Sequence, residues 1–101
     1  MNNNVFKPVR RAEVYYNDIL AGILLLNRGR YTFIYDLKYM YSSNPSIALD
    51  MPKRKRYFCS PYLFPFFQGL LPEGENKSFL CERLGISRSD KFTMLVKLAN
   101  H

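Results

Sequence analysis

Three groups of side chains in this chain could do chemistry. Lys53, Arg54, Lys55 and Arg56 are four adjacent cations. Such a run can replace the counterions around phosphate groups, so phosphate or DNA contact is one role for it; a solvated loop is the plainer one. Glu73 and Glu75 flank Gly74. Two carboxylates beside a turn could serve general acid–base chemistry, although capping and solvation are the commoner use. Cys59 and Cys81 supply two thiols, 22 positions apart. The only histidine is His101, the last of 101 residues, which leaves no His-based triad or dyad in a core. Two scattered cysteines do not make a zinc site. Neither phosphate-loop pattern, GxxxxGK[ST] or GxGxxG, occurs. These residues favour binding over catalysis: no catalytic residue, no metal and no cofactor are expected.

The composition fits one small globular domain spanning residues 1–101, with about the first nine residues loosely held. Apolar residues make up 48% and charged residues 23% of the chain, which is ordinary for a folded protein. Eight Phe and eight Tyr without Trp point to a Phe/Tyr core. Fifteen basic against eight acidic residues, a net charge of +7, favour an anionic partner: nucleic acid, a phosphorylated ligand or an acidic protein face. The polar start Met1-Asn2-Asn3-Asn4 predicts no signal peptide. The cysteines then read as free thiols in a reducing, cytoplasmic compartment. No apolar run approaches the roughly 18 residues of a membrane span.

The elements that must position these groups follow from pattern. Residues 10–17 (RRAEVYYN) and 19–27 (ILAGILLLN) read as an antiparallel hairpin turning at Asn17-Asp18. Gly22 inside the second strand predicts a bulge or a close backbone approach. A turn at 27–30 (NRGR) leads to a third strand, 31–35 (YTFIY), completing a meander. Asp36 is a candidate N-cap for a short helix over 36–43, with Leu37, Met40 and Tyr41 on one face. Residues 47–51 (IALDM) read as a fourth short strand. Ser60-Pro61 is expected to start an aromatic helix with Leu63, Phe66, Phe67, Leu70 and Leu71 inward. Pro72 ends it, and Glu73-Gly74 turns the chain into a second helix over 75–84, with Leu80 and Leu84 inward, Phe79 beside them and Gly85 at its end. Ser89 is expected to cap a third helix over 90–99, buried through Phe92, Leu95, Val96 and Ala99. The fold class is therefore α+β, a small antiparallel β-meander packed with a C-terminal cluster of three helices.

Several of these pieces resemble one family. The glycine-containing strand 19–27 followed by YTFIYD is similar to the opening hairpin of HipA-type toxin kinases, and 46–52 (SIALDMP) to their "LSLSLP" strand. Residues 64–74 (FPFFQGLLPEG) closely resemble their "F..FF..LLPEG" helix and corner. Residues 89–100 resemble the helix that precedes the kinase's phosphate-loop region. The similarity runs from about Arg11 to Asn100, and its FFxxLLPEG part is the most specific.

The resemblance implies the N-terminal subdomain of such a kinase. The family's catalytic Asp, metal-binding Asp and ATP-binding lysine have no counterparts in these 101 residues. One three-gene branch encodes this subdomain separately, as the antitoxin HipS, beside a shortened kinase, HipT, and a helix-turn-helix DNA-binding protein, HipB. The resemblance thus implies an antitoxin in a HipB–HipS–HipT complex. It would neutralise the kinase by presenting Leu71, Pro72, Glu73, Gly74, Glu75 and Asn76 near the kinase cleft, with DNA touched at most indirectly and no membrane involved. The alternatives are a non-inhibitory N-terminal fragment of a HipA-type kinase and a basic nucleic-acid-binding module.

Overall fold

The computed structural model describes residues 9–99; the expectations for the first eight residues and for His101 fall outside that range. The class is α+β, as expected. The chain forms two compact units divided between Tyr62 and Leu63.

The first unit is a four-stranded antiparallel sheet in the order β1 (Arg10–Tyr16), β2 (Ile19–Asn27), β3 (Arg30–Tyr35) and β4 (Tyr57–Ser60). Both tight turns carry positive φ at their two central residues, at Asn17 (52°) and Asp18 (64°), then at Arg28 (52°) and Gly29 (78°). This handedness matches the twist of the flanking strands. Both turn expectations hold, but the first turn uses residues suited to that conformation and the second places an arginine in it.

Cross-strand partners share a face. One row runs Leu24–Phe33–Phe58 and another Val14–Gly22–Tyr35, all buried. The opposite face carries Arg11, Leu25, Thr32 and Cys59 in one row and Glu13, Ile23, Ile34 and Tyr57 in the next, all half-buried or exposed. The register slips between Val14 and Tyr15, leaving Ala21 as the extra residue of a bulge. The Ala21 carbonyl accepts instead from the Asp36 amide at 2.8 Å. Both readings of Gly22 hold: a bulge lies beside it, and a Cβ there would meet the Ile34 carbonyl oxygen at 2.2 Å and the Phe33 ring at 2.7 Å.

The fourth strand is not at 47–51. Those residues make a tight turn with a single bridge between Ala48 and Met51, and Leu49 is fully exposed. The cause is Tyr35. Its hydroxyl donates to the Met51 carbonyl at 2.5 Å and accepts from the Ile47 amide at 3.0 Å, so these backbone groups are held by a side chain and not by a ladder. Tyr57–Ser60 takes the edge position, pairing with Tyr31–Ile34.

Helix α1 is a single turn, Leu37–Met40, shorter than expected. Asp36 does cap it, accepting from the Lys38 and Tyr39 amides at 3.1 and 3.3 Å. The buried residue is Tyr39; Leu37 and Tyr41 are exposed. Periodicity cannot choose a face over one turn. Here Tyr39 goes inward because its ring stacks parallel to Tyr35, 6.0 Å away, and its hydroxyl finds the Pro45 carbonyl at 2.7 Å.

The second unit contains α2 (Pro65–Gln68), α3 (Gly74–Leu84) and α4 (Lys91–Ala99), the three expected helices. Helix α2 begins at Pro65, not at Ser60-Pro61. Proline has no N–H to contribute and a fixed φ, so a helix starts at Pro65 more readily than it continues through it. The Ser60 hydroxyl accepts from the Tyr62 amide at 3.0 Å in a local turn instead. Leu63, Phe64, Phe67 and Leu71 are buried, Phe66 is half-buried and Leu70 is exposed.

On α3 the buried residue is Cys81, with Leu80 and Leu84 half-buried and Phe79 outside. The helix ends at Gly85 (φ 67°), where the Ile86 amide donates back to the Cys81 carbonyl at 3.0 Å. The cap of α4 is Asp90, not Ser89. Its carboxylate accepts from the Thr93 amide at 3.1 Å and the Thr93 hydroxyl at 2.7 Å, whereas Ser89 is engaged in a turn with Ser87. Phe92 and Met94 are buried on α4, while Leu95 and Val96 are half-buried; the Ala99 side chain lies outside the described residues.

Candidate interaction site

The most distinctive local geometry is the corner that joins α2 to α3. Backbone bonds from the Leu70 amide to Phe67 and from the Leu71 amide to Gln68, at 3.0 and 3.2 Å, tighten the end of α2. Leu71 is buried and anchors the corner; Pro72 is half-buried. Glu73, Gly74, Glu75 and Asn76 then all face solvent. Gly74 takes φ 60°, a left-handed value disfavoured for residues with a side chain. Glu73 occupies the N-cap position without a side-chain capping bond, and Glu75 lies in the first turn, where its charge suits the helix dipole. Neither carboxylate is consumed in shaping the corner.

A stripe continues along the outer side of α3. Glu75, Phe79 and Arg83 are spaced four apart and all are exposed. The Arg83 guanidinium lies over the Phe79 ring, 5.4 Å from its centre. The site is thus a turn with two carboxylates, continued by an aromatic side chain 63% exposed; Leu70, 58% exposed, precedes it. Sequence reasoning missed Phe79 and Leu70, because periodicity assigns apolar side chains inward. The signal was Cys81, which competes for the inner side of α3 and turns Phe79 out.

The model of the HipA N-terminal domain matches residues 12–101. The chain belongs to this family. A protein named "Putative kinase Y4mE", from Sinorhizobium fredii, is 29% identical over 92 residues. The alignment covers 89% of the chain and 22% of Y4mE, so the chain spans about a fifth of the length of this relative.

In this HipA N-terminal domain the four cations of 53–56 do not act as one solvated run. The Lys53 ammonium donates to the Ser42 carbonyl at 2.7 Å and to the Asn44 carbonyl, and lies over the Tyr39 ring. The Arg56 guanidinium donates to the Tyr35 carbonyl at 3.0 Å, while the Tyr35 amide donates to the Arg56 carbonyl at 3.0 Å. These two cations fasten the loop to β3 and α1. Arg54 and Lys55 are exposed, with Lys55 placed over Phe58.

Burial pushes the Tyr35 hydroxyl above its ordinary value of 10.0, against the opposing effect of the Ile47 amide, and pushes Tyr39 up as well. Both are neutral hydrogen-bonding groups at physiological pH. Cys59 is exposed beside the Thr32 hydroxyl at 3.6 Å, and Cys81 is buried; both are free thiols. Among the described residues no group of His, Cys, Asp and Glu could hold a metal ion, and no helix is long and apolar enough to cross a membrane.

Proposed function

We propose that this HipA N-terminal domain is a HipS-like antitoxin, which binds and neutralises a HipA/HipT-type serine/threonine kinase in a complex with a HipB-type DNA-binding protein. The observation that carries the reading is the exposed corner. A family member presents two uncommitted carboxylates, Glu73 and Glu75, with Phe79 and Leu70 exposed beside them in sequence. An aromatic anchor with flanking charges is the composition of a protein-binding hot spot. The carboxylates would meet basic or metal-binding elements of the kinase and fix the docking orientation. The chain itself catalyses nothing in this reading, binds no cofactor and acts in the cytoplasm.

The test is phosphate transfer by the cognate kinase with and without the purified chain. Loss of transfer at stoichiometric amounts is expected. Unchanged or raised transfer would sink the antitoxin reading.

A second reading has an observation of its own: the relative Y4mE carries the kinase name and is much longer. The same fold would then be a non-inhibitory subdomain of a kinase. An immunoblot of the native polypeptide separates the two, since a band of kinase size supports the second and one near 11.9 kDa the first.

A further inference from the structure

The sheet runs β1-β2-β3-β4 without closing, so β1 and β4 are its edges. The edge at β1 is the longer, seven residues against four. In an antiparallel pair, alternate residues exchange both backbone bonds with the residue opposite. The turn at Asn17-Asp18 sets Tyr16 opposite Ile19 as such a bonded pair. Counting back by twos, Val14, Ala12 and Arg10 also bond to β2. The extra residue of the bulge lies on β2, so the alternation along β1 is unbroken. The amides and carbonyls of Arg11, Glu13 and Tyr15 therefore point away from the sheet. Among the described residues no further backbone bond reaches them.

An open edge is a template for another strand, and proteins commonly blunt it with proline, a bulge or charge. Strand β1 has no proline and no extra residue of its own. It does carry charge, but of both signs at alternate positions, Arg11 and Glu13, both exposed. The Tyr15 hydroxyl donates to Glu13 Oε1 at 3.2 Å, which leaves Oε2 for a guanidinium.

Two copies of β1 laid antiparallel about a two-fold axis at Ala12 set Arg11 of each opposite Glu13 of the other. The same register sets Tyr15, 56% exposed, opposite Val9, 51% exposed. Opposite charges, and an aromatic facing a β-branched residue, are favourable cross-strand pairs. Ala12, the smallest side chain of the strand, meets its own copy on the axis. Registers moved by two residues set Arg11 opposite Arg11 or Glu13 opposite Glu13, and like charges there are destabilising. The strand thus favours one self-pairing and disfavours its neighbours.

We propose that the protein self-associates through β1 in this register, joining two four-stranded sheets into one continuous sheet. Strand β4 is the weaker candidate, since Tyr57–Ser60 is shorter and carries no charge to set a register. The β1 contact uses the same patch on both copies, so it closes at a dimer. One strand edge buries less than a standard interface, which makes the dimer reversible and dependent on concentration. The pairing does not depend on the antitoxin reading.

The experiment is sedimentation equilibrium of the full chain up to about 1 mM, so that an affinity in the millimolar range is seen. The mass should rise from 11.9 kDa toward that of a dimer and no further. Arg11→Glu or Glu13→Arg alone turns both cross-strand ion pairs into repulsions and should raise the dissociation constant roughly tenfold or more. The swap Arg11→Glu/Glu13→Arg restores the complementarity and should return the constant to near its wild-type value. Both positions are exposed, so the melting temperature should hold in all three variants. Amide hydrogen exchange of the wild-type chain reads the same contact without a substitution: protection at Arg11, Glu13 and Tyr15 should grow with concentration. Any of four outcomes would overturn the proposal: a mass that stays at 11.9 kDa; a mass that grows past the dimer, as β1-to-β4 pairing would give; a swap no tighter than the single variants; or concentration-dependent protection on Tyr57–Ser60 and not on β1.

Discussion

At the scale of single residues, Tyr35 organises the first unit. Its ring meets Phe33 edge-on at 4.9 Å and Phe58 at 6.0 Å, and its hydroxyl holds the Ile47 amide and the Met51 carbonyl. Tyr35→Phe keeps the ring and leaves two backbone groups without their partner. Equilibrium denaturation should show a loss of about 1–3 kcal/mol. The pH dependence follows from the same burial. Because the folded-state hydroxyl titrates above its ordinary 10.0, its contribution is fully present below pH 10.0 and is lost as pH rises through the folded value. Alkaline unfolding should therefore coincide with tyrosinate absorbance, and Tyr35→Phe should reduce that coupling. Gly22→Ala forces a methyl group onto the Ile34 carbonyl and should cost at least about 1–3 kcal/mol, read as a lower denaturation midpoint. Gly22 was legible in the sequence, because a glycine inside an apolar strand signals such an approach. Tyr35 was not, because nothing in YTFIY shows which aromatic carries a hydroxyl to a loop more than ten residues away.

At the scale of elements, signals that act within one turn are legible in the sequence. Asn17-Asp18, Asp36 as a cap and Gly85 as a helix end depend on neighbouring backbone alone. The structure departs from expectation where two adjacent candidates compete. Asp90 prevails over Ser89, since its carboxylate can reach both the amide and the hydroxyl of Thr93. Asp90→Ala should lower stability by about 1 kcal/mol in thermal or chemical denaturation, and Ser89→Ala should be nearly neutral. Pro65 prevails over Pro61 as a helix start because only one of two prolines four apart can stand at the first position. The strand Tyr57–Ser60 was hidden by the charges before it. Two of those charges are absorbed by carbonyl groups, so the run does not force the chain into solvent.

At the scale of the whole molecule, the exposed corner and the Glu75–Phe79–Arg83 stripe belong to the second unit, and the four-stranded sheet belongs to the first. The corner was legible from its Leu-Pro-Glu-Gly sequence. Its apolar part was not, since exposure of Phe79 depends on which side of α3 its own unit covers. If the corner docks on a kinase, Phe79→Ala should weaken affinity by about 2 kcal/mol or more in calorimetry. Glu73→Gln at the rim should act mainly on the association rate and its salt dependence. Equal, small effects from both would remove the corner from the interface.

The loop over 41–56 has one further consequence, for the order in which the chain assembles. It has almost no regular structure, and its fasteners are the hydroxyls of Tyr35 and Tyr39 from other segments, the Arg56 guanidinium held on the Tyr35 carbonyl, and the Lys53 ammonium that closes it on itself. The fasteners on Tyr35 cannot act until β3 is in place. The β1–β2–β3 meander needs only neighbouring residues and short turns, so its loop-closure cost is small. The meander is then the template, and the loop with β4 is the late addition. The Ile47 amide, bonded to a tyrosine hydroxyl instead of a strand, marks the step at which the sheet gains its fourth member.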